Sequence, residues 1–197
     1  MTAPLLVAGV GNIFLADDAF GPEVIRALEQ RPLAPEVQAR VRVRDYGIRG
    51  LDLAYDLLGG CATAVLVDAA RRGQRPGTLS LIEAEPPDGT VPPEAHGMDP
   101  AKVLALATHL GEEPLPRVLV LACEPEVLPA GDEDILPGLS AAVRSAVAPA
   151  VTALHALVPL LLADPAAPAA ALGRSMENGP PHAAALPAHT PATAEDR

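Results

Sequence analysis

The chain has 197 residues, of which 49% are hydrophobic and only 2% aromatic, so we expect one domain with a core of Leu, Val, Ile and Ala. Its formal net charge of -11 argues against a nucleic-acid partner, because binding to a phosphate backbone needs clustered Lys and Arg. The isolated cysteines Cys61 and Cys123 form no CxxC motif, which argues against a zinc knuckle or redox motif, and their low number suits a reducing, cytoplasmic location.

Apolar runs of strand length predict five strands. The continuous run Leu5–Val10 is typical of a central parallel strand, whereas 41–45 alternates and indicates a strand near an edge. The link between the third and fourth strands is too short for a parallel crossover, which needs about a dozen residues, so strand four is predicted to be antiparallel. The remaining strands are predicted at 63–68, 79–83 and 117–122.

Helical periodicity predicts four helices between these strands. They are expected at 23–30 with Pro22 in the first turn, at 51–58 ended by glycines, at 101–110 with Asp99 as N-cap, and at 140–162, where Pro149 and Pro159 should kink or divide the helix. The last helix is interrupted by His155 and Pro159, which favours a buried helix over a membrane span.

The element order predicts a three-layer αβα domain of the phosphorylase/hydrolase-like kind over residues 1–163. Right-handed crossovers place a twisted, mostly parallel sheet in the order 2-1-3-5-4 between the helices. From residue 164 to 197 the chain is rich in Ala and Pro and holds almost no large side chains, so we expect a disordered tail there.

A glycine-rich loop follows the first strand. Gly9 and Gly11 match the first two positions of GxGxxG, but Phe14 occupies the third, and no Walker lysine follows. Adjacent acids, Asp17 and Asp18, stand where a nucleotide site would need neutral or positive groups. The loop therefore does not indicate a dinucleotide or phosphate site.

Carboxylate and imidazole side chains follow several strands. Asp17 and Asp18 lie after the first strand, and Asp68 ends the third. His96 lies in the loop that enters the third helix, and this loop can fold over the same crevice. Two carboxylates and an imidazole suit nickel, zinc, iron or manganese and leave positions open for substrate. Ordinary alternatives are an N-cap role for Asp17, a turn role for Asp68 and a structural or exposed His96.

Two other catalytic arrangements are weaker. Cys123 with His96 as its base is conceivable, although nothing in their spacing supports it. Asp18 and Asp68 can share a proton as in aspartic proteases, but the Asp-Thr/Ser-Gly signature of that class is absent.

Several short motifs, in order and spacing, resemble the hydrogenase maturation proteases (peptidase family M52), and the resemblance covers about residues 4–160. No motif is specific alone. They are Gly9-Val-Gly-Asn12 with Asp17-Asp18 and Gly21, Asp45-Tyr-Gly-Ile-Arg-Gly50, Val65-Leu-Val-Asp68-Ala69, His96-Gly-Met-Asp99-Pro100 and, as in part of the family, Cys123-Glu-Pro125.

The resemblance implies an endopeptidase that trims the C-terminus of a [NiFe] hydrogenase large-subunit precursor. It implies a metal triad of Asp18, Asp68 and His96 that senses nickel carried by the substrate rather than a resident catalytic metal. Many family members have Glu at the Asp18 position, so the shorter Asp18 must approach the metal more closely. Asp17 is then a candidate supporting acceptor or general base.

The expected partner is the large-subunit precursor, with no nucleic acid, no membrane and a monomeric enzyme. The main alternative is a non-enzymatic nickel-binding accessory protein for hydrogenase assembly that uses the same triad. A small-molecule hydrolase or nucleotide-binding domain of similar topology is a third reading, and the absent phosphate-binding residues count against nucleotide.

Overall fold

A computed structural model describes residues 4–84, 100–111, 114–129 and 135–177. Its sheet has five strands in the order β2-β1-β3-β5-β4, which confirms the predicted topology. The strands are β1 (Leu5–Val10), β2 (Val41–Gly47), β3 (Thr63–Ala69), β4 (Leu79–Glu83) and β5 (Arg117–Cys123). All neighbours pair in parallel except β4 and β5, which are antiparallel as the short link requires.

Burial follows position in the sheet. Every residue of β1 and β3 is buried, because these strands lie between other strands and under helices on both faces. The edge strand β2 buries only Val41 and Tyr46, so its burial does not alternate strictly, but its place at the edge of the sheet agrees with the prediction. The apolar β5 separates β3 from the edge strand β4.

Helices cover both faces of the sheet. They are α1 (Phe20–Gln30), α2 (Pro35–Gln38), α3 (Gly50–Leu58), α4 (Pro100–Leu110), α5 (Ala141–Ala163) and α6 (Ala169–Glu177), with a 3-10 turn at Ala16–Ala19. One core cluster joins the sheet to α1 and α5, and the other joins it to α3 and α4. This is the expected three-layer αβα arrangement.

Helix α5 differs from its prediction, because it runs unbroken over 23 residues with Pro149 and Pro159 inside it. Nine of its side chains are buried, and this packing outweighs the backbone hydrogen bonds that the prolines remove. Its length and mean hydropathy of 2.0 would allow a membrane crossing, but 44% of its apolar window is buried within the protein. The helix therefore acts here as a core element, as its sequence suggested.

The predicted disordered tail is wrong for residues 164–177. Helix α6 packs against α5 and β4, and its Leu172 is only 2% exposed. Alanine favours helix, and one buried leucine supplies the apolar anchor that composition alone did not reveal. Arg117 also donates from Nη1 to the carbonyl of Pro165 at 2.8 Å, which holds the link before α6. Residues 178–197 lie outside the described part of the chain.

Candidate active site

The glycine loop after β1 wraps closely around Asp18. Gly11 has φ +129°, and a Cβ there would overlap the carbonyl oxygen of Asp18. The backbone N–H of Asn12 donates to Asp18 Oδ2 at 2.7 Å, while Asn12 Oδ1 accepts from the N–H of Phe14 at 3.0 Å. Glycine at position 11 is thus required for close approach to Asp18 rather than to a phosphate.

Asp18 is partly buried, which affects its ionisation. Burial raises the pKa of its carboxyl above the ordinary value of 3.8, and the Asn12 N–H partly opposes that shift. The charged form therefore lacks some of the solvation it would have in water. Such a carboxylate gains from a cation that approaches it, which fits a ligand role.

Asp68 lies at the carboxyl end of β3, and its side chain is 6% exposed. Its Oδ1 accepts from the N–H of Ala69 at 2.8 Å, so the turn-type contact considered for it is present. Because β1 and β3 are parallel neighbours, Asp68 and the loop that carries Asp18 lie at the same edge of the sheet, as expected. His96 lies outside the described residues, and within those residues no group of three or more His, Cys, Asp or Glu has metal-binding geometry.

Asp17 has a different environment from its neighbour. Its side chain is fully buried, and it accepts hydrogen bonds from the N–H groups of Glu126 and Val127, both 2.8 Å from Oδ2, and of Ser140, 2.7 Å from Oδ1. It does not cap α1, whose N-cap is Ala19. A carboxylate without solvent access and with three backbone donors is poorly placed to act as a general base.

Glu124 is a further buried acid at this edge, for which the sequence motifs predicted no role. It is 8% exposed, and its Oε2 accepts from the N–H of Arg72 at 2.7 Å. Burial alone would raise the pKa of its carboxyl, but N–H groups of residues 72–74 and the charge of Arg71 lower it overall. Glu124 thus holds the loop after β3. Its position directly after a buried strand was the sequence signal that could have indicated this role.

Cys123 is not an activated nucleophile. Its side chain is fully buried, and burial, together with the negative charges of Asp17 and Glu124, raises the pKa of the thiol to about 12. A catalytic cysteine needs the opposite environment, which stabilises thiolate near neutral pH. The environment of Cys123 therefore argues against a catalytic pair of Cys123 as nucleophile and His96 as base.

The loop after β2 borders the glycine loop. The N–H of Gly11 donates to the carbonyl of Gly47 at 3.1 Å, and Asp45 Oδ1 accepts from the N–H of Gly47 at 2.8 Å. Gly47 has φ +54°, which the turn requires. Arg49 pairs with Asp52 at 3.4 Å across one helical turn, in keeping with an ordinary surface arginine.

Exposed apolar side chains surround this edge of the sheet. They lie in the loops after β1 and β2 and in the β5–α5 connection, which we define as 124–140. Three backbone hydrogen bonds join the first loop to this connection: Ala16 N–H to Leu136 O, Asp17 N–H to Val127 O and Leu136 N–H to Phe14 O. We call this set the apolar rim: Ile13, Phe14, Ile48, Val127, Ile135 and Leu136, all between 43% and 68% exposed.

Comparison with known proteins shows which family the chain resembles. The family model described as hydrogenase maturation protease matches residues 22–156. The hydrogenase 2 maturation protease of Escherichia coli is 31% identical over 149 residues, which are 75% of this chain and 85% of that protein.

Solved structures extend the likeness. The hydrogenase maturating endopeptidase HybD from E. coli has a TM-score of 0.59 at 27% identity, covering 81% of this chain and 93% of that one. The hydrogenase 2 maturation peptidase from Thaumarchaeota archaeon SCGC_AB-539-E09 has a TM-score of 0.52 at 27% identity, covering 81% and 96%. By its matched residues, relatives and fold, the chain belongs to the hydrogenase maturation proteases, a family of endopeptidases.

Proposed function

We propose that this endopeptidase removes the C-terminal extension of a [NiFe] hydrogenase large-subunit precursor after nickel has been inserted. Family membership supports a processing role in hydrogenase maturation. The observation that carries the nickel-dependent part is the placement of two desolvated acids, Asp18 and Asp68, at one sheet edge. His96 would complete a triad with them.

In this mechanism the nickel belongs to the substrate. Asp18 is held by the Asn12 N–H through Oδ2, so Oδ1 is the oxygen that we assign to the metal. Carboxylate and imidazole donors suit nickel as a borderline cation, and their approach would position the scissile peptide bond next to it. A precursor without nickel would lack this contact and would not be held for hydrolysis.

The apolar rim supports a protein substrate. Its side chains come from separate loops next to Asp18, and they would contact an extended peptide before the scissile bond is placed. Both cysteines are free, which suits the reducing cytoplasm where we propose that processing takes place.

The test compares nickel-loaded with nickel-free precursor. We expect the enzyme to shorten only the loaded precursor, as measured by intact-protein mass spectrometry. Equal cleavage of both forms would contradict nickel gating. Nickel delivery with no change in precursor mass would instead indicate an accessory protein.

The triad is tested residue by residue. His96→Ala should abolish cleavage in a protein that keeps its circular dichroism, because the imidazole ligand is lost. His109→Ala, at the C-terminal end of α4, is the matched control and should cleave normally. A fully active His96→Ala variant would remove His96 from the site.

A further inference from the structure

The Asp17 carboxylate joins parts of the chain that are distant in sequence. Its three N–H donors are 109, 110 and 123 residues away, at the two described ends of the β5–α5 connection. The donor–acceptor distances of 2.7–2.8 Å are those of charge-assisted hydrogen bonds. One buried side chain therefore fastens this connection to the turn that carries Asp18.

Backbone contacts reinforce the same junction. The N–H of Ala16 donates to Leu136 O at 2.6 Å, and the N–H of Asp17 donates to Val127 O at 3.2 Å. Ala16 has φ +47°, a left-handed conformation that a residue with a Cβ adopts only when its surroundings hold it there. The 3-10 turn Ala16–Ala19 thus depends on contacts from the β5–α5 connection.

The chemistry of the junction requires a carboxylate. An ionised Asp accepts at both oxygens, which matches donors on both sides of Asp17. An Asn of the same size has one accepting oxygen and one NH₂ group. In either orientation the NH₂ would face a backbone N–H, either that of Ser140 or those of Glu126 and Val127. Such a buried donor would lose its partner.

We propose that Asp17 is a positioning residue, whose carboxylate clamps the Ala16–Ala19 turn so that the Asp18 carboxylate stays against the Asn12 N–H. Asp17 contacts neither substrate nor metal in this assignment and acts through Asp18. The effect on cleavage rests on the proposed function, whereas the effect on the Asn12–Asp18 hydrogen bond does not.

Hydrogen exchange of the Asn12 amide provides the test that does not depend on activity. We expect exchange to quicken about tenfold or more in Asp17→Asn, because loss of the clamp frees Asp18 to leave that amide. The matched control is Leu157→Ala, a core variant in α5, compared at equal global free energy of unfolding. It should leave Asn12 exchange unchanged, since the hydrogen bonds described for the turn come from the β5–α5 connection and not from Leu157. Unchanged exchange in Asp17→Asn would overturn the proposal.

A second pair of variants leaves Asp17 intact in case Asp17→Asn does not fold. Ser140→Pro removes one donor N–H and fits the observed φ of -57°, while Ser140→Ala keeps the N–H and loses only the N-cap bond to Val143. Faster Asn12 exchange in the proline variant alone is expected. Equal exchange in both variants would contradict the clamp.

Cleavage assays separate this inference from the proposed function. If the wild-type enzyme cleaves nickel-loaded precursor, Asp17→Asn should lower kcat about 10- to 100-fold with little change in KM, as when a group that orients a ligand is lost. Wild-type kcat in that variant would overturn the positioning role. If the wild type cleaves no precursor, the proposed function fails, and Asn12 exchange still decides the role of Asp17.

Discussion

Gly21, in the first turn of α1, lies against the backbone of Val67, which belongs to the central strand β3. A Cβ on Gly21 would overlap the carbonyl oxygen of Val67 and, on the other side, that of Val10. This contact seats α1 over the boundary between β1 and β3, directly before Asp68. The absence of a side chain at residue 21 thus sets the distance between the Asp18 turn and the sheet.

Gly21→Ala should therefore destabilise the protein by about 3 kcal/mol, because the overlapping atoms belong to the backbone of two central strands and cannot move aside. Urea denaturation measures this change. Gly173→Ala in α6 is the matched control, since a Cβ there meets nothing within 4 Å. It should be neutral or stabilise by less than about 1 kcal/mol. Similar losses in both variants would contradict the close packing of Gly21.

The buried thiol of Cys123 predicts chemical inertness. With its pKa raised to about 12, the thiol stays protonated at pH 8, and burial blocks reagent access as well. Burial also raises the pKa of Cys61. A thiol reagent should react with both residues in urea and with neither in the native protein. Cys123→Ala should still cleave precursor, and loss of cleavage in a stable variant would reinstate a nucleophilic role.

The pair of Glu83 and Arg117 predicts a pH-dependent contribution to stability. Arg117 donates to both carboxylate oxygens, each at 2.9 Å, and joins the edge strand β4 to β5. These hydrogen bonds lower the pKa of Glu83 below 4.5. The stabilisation is therefore present above pH 4.5 and is lost as pH falls through the lowered folded-state pKa.

Glu83→Gln should accordingly be less stable than wild type at pH 7 by less than about 1 kcal/mol, because the pair is partly exposed. The difference should shrink as pH falls below 4.5 and should also shrink in high salt, as followed by urea denaturation. A gap that widens on acidification would contradict this assignment.

Helix α6 is expected to contribute to stability rather than to act as a free tail. Leu172→Ala should lower the free energy of unfolding by about 2 kcal/mol, since it removes a buried side chain from the cluster shared with α5. Ala171→Ser, at a partly exposed position next to it, is the comparison and should have a small effect. Equal stability of Leu172→Ala and wild type would show that α6 does not stay packed in solution.

Much of the fold was predictable, because strand positions follow from local sequence patterns and strand order follows from general rules of chain topology. The apolar runs marked the strands, right-handed crossovers ordered them, and a short link forced β4 to run antiparallel. Helix α6 and the unbroken α5 were not predictable, because tertiary packing of residues such as Leu172 outweighed composition and the two prolines.

The location of the site at one edge of the sheet was predictable from the sequence, but the separate roles of its acidic residues were not. Asp17 and Asp18 are chemically identical in the sequence, and only contacts with Glu126, Val127 and Ser140 separate a buried clamp from a partly exposed acid. Those partners lie more than a hundred residues away, beyond the reach of any spacing argument. The role of Glu124 in holding a loop depends likewise on a remote contact, with the N–H of Arg72, which is 52 residues away in sequence.

The long-range hydrogen bonds of Asp17 also affect when the site forms during synthesis of the protein. Its last donor, Ser140, emerges from the ribosome only after all five strands of the sheet have been made. A nascent chain that ends before this residue lacks the final support of the Asp18 turn, however well its sheet has formed. The Ala16–Ala19 turn is thus fixed in place late in translation. A truncated product would carry Asp18 and Asp68 without the contacts that align Asp18.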